Sequence, residues 1–268
     1  MSETVKTGVI REINGPIVTV RLPGIRTGEQ VAVGEIGLNG EVIALTGEDA
    51  IVQANESTDQ MKPGEPVRGL GWPLSVELGP GLLGGIFDGV QRPLEEIFAK
   101  AGDHIPRGLS LPSLDRDKSW HFQPDTNIEC GDRLEGSTRI GKVQETETVE
   151  HRILVPPNLS GELQELAPEG DYRVDDVIGR IRTPNGRTHK LRLFHRWPVR
   201  TPRPYSHRDH GIAPLITGQR ILDTFFPLLK GGTGAVPGPF GAGKTVIQQQ
   251  IARWSNADIV IYVGCGER

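Results

Sequence analysis

Sulfur is scarce in this chain. Its 268 residues hold two cysteines, Cys130 and Cys265, too far apart to read as a disulfide framework or a metal pattern. A reducing, cytosolic setting fits them best. Long apolar runs are missing too. No stretch approaches the ~18 residues that a membrane-spanning helix needs, and the N-terminus has no signal-peptide core. A soluble chain without a transmembrane segment is therefore expected. Nor is there an excess of positive charge. Against 34 Asp and Glu stand 30 Lys and Arg, a net charge of −4, which argues against bulk electrostatic binding to nucleic acid. Glycine and proline are abundant instead. Gly 35 and Pro 21 together lie well above the usual ~12%, and the excess reads as many turns between many short strands. One to two domains and a sizeable core are expected at this length.

Residues 1–70 read as a small all-β unit. Val5–Arg11, Pro16–Leu22, Gln30–Val33, Glu41–Leu45 and Asp49–Ala54 are short, β-branched and often alternating, with turn signals such as Asn14-Gly15-Pro16 and Asn39-Gly40 between them. Five or six such strands suggest a barrel or sandwich, and closure would remove exposed edges. Residues 71–109 look like a crossover, with Pro93 opening a short helical run, Leu94–Phe98, in the favoured first-turn position. Residues 110–188 break into short strand-like pieces, among them a hairpin signal at Asn185-Gly186, and read as a β-rich insertion. Three prolines in Trp197-Pro198-Val199-Arg200-Thr201-Pro202-Arg203-Pro204 favour an extended connector. His207 and His210 have metal-type spacing but no third ligand near them, so a polar loop is expected.

Chemistry is legible in the last part, residues 189–268. Gly238-Pro239-Phe240-Gly241-Ala242-Gly243-Lys244-Thr245 has the G-x-x-x-x-G-K-T pattern of a loop whose backbone N–H groups wrap a polyphosphate. In that pattern the lysine reaches the β- and γ-phosphates and the threonine hydroxyl helps hold Mg²⁺. Gly234-Ala235-Val236 before it reads as a buried strand. Ile247, Ile251 and Trp254 after it fall on one helix face. Ile259-Val260-Ile261-Tyr262-Val263 then reads as a strand buried in a parallel sheet, so that strand, helix and strand would form a βαβ unit. This places Glu267 and Arg268, 23 and 24 residues beyond Lys244, at the sheet edge where such folds bind ligands. A carboxylate to orient water and a guanidinium to balance phosphate charge are the right types there. The alternative is a pair of solvated charges.

These residues resemble the catalytic A subunits of the V/A-type rotary ATPases and ATP synthases. The resemblance rests on GGTGAVP running into GPFGAGKT, on IVIYVGCGER, and on blocks through nearly the whole chain: Leu74–Gly81, Asp88–Leu94, Asp115-Arg116 with Trp120-His121-Phe122, Trp197–Arg200 and Leu215–Arg220. It implies an N-terminal β-barrel, an inserted bulge at 110–188 and the start of a RecA-like P-loop domain. It further implies nucleotide contacts from Gly238, Pro239, Phe240, Gly241, Ala242, Gly243, Lys244, Thr245 and Val246, with Mg²⁺ on Thr245 and ATP or ADP as substrate. Glu267 would activate the attacking water and Arg268 would contact the γ-phosphate region. Implied partners are B subunits in an alternating hetero-hexameric ring, which supply an arginine finger in trans, then central and peripheral stalk subunits and a membrane ion-translocating sector; nucleic acid is not among them. The implied location is peripheral, on the cytoplasmic face of a membrane. Ala242 stands where eukaryotic relatives carry cysteine, so the chain looks prokaryotic. Family members are more than twice as long, so a fragment ending after the Walker A region, inactive in isolation, is expected. The bulge-like segment and the WPVR block argue against a secretion ATPase, a termination helicase or an F-type β subunit. Lys244 with Glu267 argues against a non-catalytic role in the ring.

Overall fold

Alternation of apolar and polar residues, interrupted by turn glycines, builds the first part of the molecule. The computed structural model describes residues 6–205, 207, 211 and 213–266. Six strands, β1 (Thr7–Asn14), β2 (Ile17–Arg21), β3 (Glu29–Val33), β4 (Leu38–Thr46), β5 (Asp49–Ala54) and β6 (Pro66–Pro73), close into a barrel in the order β1-β2-β5-β4-β3-β6. Closure leaves no unpaired edge, as expected of so small an all-β unit. Valines at every second position, Val18 and Val20 in β2 and Val31 and Val33 in β3, are fully buried and fill the interior with Val52 of β5. The first strand runs past its expected end at Arg11 to Asn14, where Gly15 takes a φ of 56° in the turn to β2; Val5, its expected start, lies outside the described residues. β6, PVRGLGWP, carries no clear strand signature because two prolines and two glycines interrupt it. The prolines sit at its two ends, where a missing N–H costs least.

The crossover follows as β7 (Ser75–Leu78) and helix α1 (Leu94–Ala101). Pro93 is the extended N-cap of α1 rather than its first helical residue, and the helix runs one turn longer than expected, burying Ile97. The insertion forms two four-stranded sheets. One, in the order β11-β10-β8-β13, uses β8 (Ser119–Pro124), β10 (Arg139–Gln144), β11 (Glu150–Leu154) and β13 (Gly170–Arg173). The other, β15-β14-β12-β9, uses β9 (Arg133–Leu134), β12 (Gly161–Leu166), β14 (Gly179–Arg182) and β15 (Thr188–Leu191). Phe122, Ile140, Leu163, Ile178 and Ile181 form a shared core. Gly141 is required there, since a Cβ would lie 2.3 Å from the Phe122 ring.

Part of the expected connector is a strand. β16 (His195–Pro198) pairs antiparallel with β7, setting Trp197 opposite Val76. Long-range ion pairs hold these pieces together. Glu77 of β7 accepts from Arg196 at 3.1 Å and from Arg116 at 2.5 Å. Arg92 donates to Asp88 and, on the barrel side, to Glu56, both at 2.7 Å. Arg200 grips Glu41 of β4 through two bonds of 2.7 and 2.8 Å.

The chain divides into two compact units, Met1–Arg203 and Pro204–Arg268. The second holds the short pair β17 (Pro214–Leu215) and β18 (Leu228–Leu229), helix α2 (Arg220–Phe225), which ends before Pro227, and helix α3 (Lys244–Trp254). Two expected strands are not formed. Gly234–Val236 and Ile259–Val263 carry no strand pairing, and Ile261 and Val263 are 84% and 79% exposed. A parallel strand is buried only when strands pair on its flanks and helices cover its faces. Among the described residues of this unit no strand pairs with either segment. Instead Ala235, Val236, Ile251 and Val260 line an open apolar cleft of about 840 Å³. No helix among the described residues is long and apolar enough to cross a membrane.

Candidate phosphate-binding site

The site is a loop that only glycine can turn, followed by the start of a helix. Gly241 and Gly243 have φ of 79° and 80°, a left-handed geometry that costs a residue with a Cβ roughly 1–2 kcal/mol. Gly243 is the N-cap of α3, so the chain swings directly from the left-handed turn into the helix. The loop closes on itself through Ala242 N–H to the Pro239 carbonyl at 3.3 Å. At its mouth a Cβ on Gly238 would come within 3.1 Å of the Ala242 methyl.

The first turn of α3 presents its backbone donors here. The first helical bond runs from Ile247 N–H to the Gly243 carbonyl at 3.0 Å, so the N–H groups of Lys244, Thr245 and Val246 have no partner within the helix. They stand at the positive end of the helix dipole, where an anion is favoured. Lys244 folds back over the loop, and its ammonium donates to the Gly238 carbonyl at 2.5 Å and the Pro239 carbonyl at 3.4 Å. Its charge is thus held at the loop, with no carboxylate paired to it among the described residues. Thr245 and Val246 are exposed, and Phe240 at the loop tip is 95% exposed. N–H groups unpaired within the helix, a lysine and a hydroxyl around a loop turned by Gly238, Gly241 and Gly243 fit a polyphosphate with a bound Mg²⁺.

Glu267 and Arg268 lie outside the described residues, as does His210. Among the described residues no three His, Cys, Asp or Glu side chains come together to hold a metal.

The far end of α3 is fixed by residues that the motif gives no hint of. Asn256 follows α3; its N–H donates to the Ile216 carbonyl, and its side-chain oxygen accepts from Ile216 N–H, both at 3.0 Å. Thr217, 1% exposed, gives both its N–H and its hydroxyl to Asp223 at 2.9 and 2.7 Å. These bonds, the backbone N–H first, hold the Asp223 carboxyl below its ordinary value. Gly218 (φ 77°) backs onto Trp254, with its Cβ position 3.0 Å from that of the tryptophan. The sequence signals are the Leu215–Arg220 block and a threonine-glycine pair just before a helix with an acid in its first turn.

Three family models match in the order of the architecture. They are the β-barrel domain of the ATP synthase alpha/beta family at residues 10–71, its barrel-sandwich domain at 111–200 and its nucleotide-binding domain at 218–268. The chain is 60% identical to the V-type ATP synthase alpha chain of Nitrosococcus oceani over 97% of its own length and 44% of the relative's. It is 52% identical to the A subunit of the A-type ATP synthase of Thermococcus sibiricus over the same shares. For the corresponding protein of Methanopyrus kandleri the identity is 51%, over all of this chain and 45% of the relative. The chain thus spans under half the length of these relatives, matches them along almost its whole extent, and belongs to the ATP synthase alpha/beta family.

Proposed function

We propose that this chain supplies the barrel, the insertion and the phosphate loop of a catalytic A subunit in a V/A-type rotary ATPase or ATP synthase. That subunit binds Mg-ATP and couples its hydrolysis or synthesis to transport of H⁺ or Na⁺ across a membrane. The observation that carries the reading is the loop from Gly238 to Val246, in which two left-handed glycines bring Lys244 and three N–H groups unpaired within the helix to one helix N-terminus. In the proposed division, residues 1–70 are the barrel, 71–109 the crossover, 110–188 the bulge and 189–268 the start of the RecA-like domain.

The backbone N–H groups of Gly238, Phe240, Gly241 and Gly243 would wrap the phosphates together with those of Lys244, Thr245 and Val246, while Pro239, which has no N–H, and Ala242, whose N–H the Pro239 carbonyl accepts, would shape the loop. Lys244 would leave the Gly238 and Pro239 carbonyls and move its ammonium onto the β- and γ-phosphate oxygens. Thr245 would offer its hydroxyl to Mg²⁺, which when bound neutralises charge on the transferring group. Glu267 would orient and deprotonate the attacking water, and Arg268 would balance charge near the γ-phosphate. The partners that fit are B subunits alternating with this one in a ring and donating an arginine, stalk subunits, and a membrane sector on whose cytoplasmic side the chain sits peripherally.

Lys244→Ala, in a protein of the relatives' full length assembled with its partners, is expected to abolish ATP hydrolysis; turnover at the unmodified rate would overturn the reading. Glu267→Gln is expected to leave nucleotide binding near normal and to cut turnover by about 10²–10⁴-fold. Lost binding with unchanged turnover per bound nucleotide would make Glu267 structural.

A further inference from the structure

The insertion has an unpaired strand edge with an uneven charge. β15 is the outer strand of β15-β14-β12-β9. Residues 179–196, which run from the start of β14 into β16, contain six of the chain's 30 Lys and Arg and none of its 34 Asp and Glu. Two of the six are answered within the fold, Arg180 by Glu165 at 2.8 Å and Arg196 by Glu77. Arg182 has Glu162 as its cross-strand neighbour. Arg187, Lys190 and Arg192 are exposed and have no ion pair among the described residues.

Register shows what is unfinished. Across the sheet Glu165 stands opposite Arg180, and Arg180 stands opposite Lys190. The row therefore reads acid, base, base and then stops at the edge, with two like charges directly opposed, an arrangement that destabilises a sheet. An acid on a further strand would answer Lys190. Beside the edge, Lys190, Leu191 and Arg192 form one wall of an open groove of about 320 Å³, with Leu154 and Pro156 among its other walls. Its one carboxylate, Asp175, is already engaged by Arg116 at 3.5 Å. A single lysine is enough to discourage stray pairing at an edge; three unanswered cations beside free backbone groups are a recognition surface.

We propose that the β15 edge binds an extended acidic segment of a partner protein, which adds as a fifth strand to this sheet and sets a carboxylate opposite Lys190. Backbone N–H and C=O groups of β15 supply the ladder, and Arg187, Lys190 and Arg192 select for acids. The hairpin exposes no Phe, Tyr or Trp, and His189 is its single exposed ring, which favours a peptide over RNA, whose bases stack on successive large rings.

The test uses the whole chain and a fluorescein-labelled peptide of alternating Glu and Thr, about eight residues long, read by anisotropy. Binding is expected, weakening on going from about 50 to about 200 mM salt. Lys190→Glu with Arg192→Glu is expected to weaken it about tenfold or more, with far-UV circular dichroism unchanged. Should that pair misfold, Lys190→Ala alone is expected to weaken binding several-fold. The same peptide N-methylated on alternate residues keeps its charge but cannot pair, and is expected to lose binding. No binding, equal binding by the N-methylated peptide, or full competition by an oligouridylate of equal charge would each overturn the proposal.

Discussion

The barrel and the phosphate-loop unit treat the same residue types in opposite ways. In the barrel, Val18, Val20, Val31, Val33 and Val52 are sealed from water. In the loop unit, Ile259, Val260, Ile261 and Val263 are between 48% and 84% exposed, and no apolar residue among those described is fully buried. The apolar residue types do not separate them, since Val and Ile dominate both sets. Closure does. A six-stranded barrel provides two neighbours for each of its own strands, whereas a parallel strand depends on neighbours supplied from elsewhere in the chain. Self-sufficiency is thus a property of topology, and it puts the stability of the described molecule in the first unit and the chemistry in the second.

The contrast can be broken first at the insertion core. Phe122→Ala removes a fully buried ring around which Gly141 makes room, and is expected to cost about 3–5 kcal/mol, read as a lower urea midpoint. A loss under about 1 kcal/mol would mean that this core is not what holds the unit together.

A smaller effect, confined to the first unit, comes from pH. The His195 pKa is pushed down to about 4, by burial first and then by Arg203 and His151. Geometry agrees, since a guanidinium can only donate, so the 2.8 Å contact from Arg203 makes the His195 Nε2 an acceptor and the ring neutral. An unfolded histidine takes up its proton near the ordinary value of 6.5, before the folded ring does. Stability from this group is therefore complete above about 6.5, declines as pH falls, and levels off below about 4. Thermal melts from pH 7 to pH 4 are expected to show that decline. His195→Gln is expected to flatten it, and an unchanged slope would place the origin elsewhere.

The smallest effect is expected in the second unit. Ile261→Ser changes a side chain that is 84% exposed and should alter stability by no more than about 0.5 kcal/mol. A large loss would mean that Ile261 is packed in solution.

What the sequence made legible follows the same division. The barrel could be read because two-residue alternation is a local signal that closure turns directly into burial. The loop could be read because its spacing, Gly238 to Thr245, is its geometry. The misread segment was Ile259–Val263, whose burial depends on neighbours that no local pattern encodes. Bonds that join distant residues were equally invisible. Glu41 and Arg200 are 159 positions apart, and Glu77 and Arg196 are 119 apart, so nothing in either neighbourhood marks them as partners. The resemblance flagged several of these positions as blocks, yet only the folded arrangement shows that Glu77, Arg92, Arg196 and Arg200 tie the first unit to itself.

One of those ties has a mechanical side. The chain leaves the first unit at Arg203 just after three anchors: Arg200 forked onto Glu41, the Trp197 indole donating to the Thr201 carbonyl at 2.7 Å, and Arg203 on His195. A pull arriving along the backbone from Pro204 therefore meets a strain relief, like the clamp where a cable enters its housing. The load is split between a barrel strand and β16 before it can peel either one. Force can be passed along the connector without unravelling the unit that bears it.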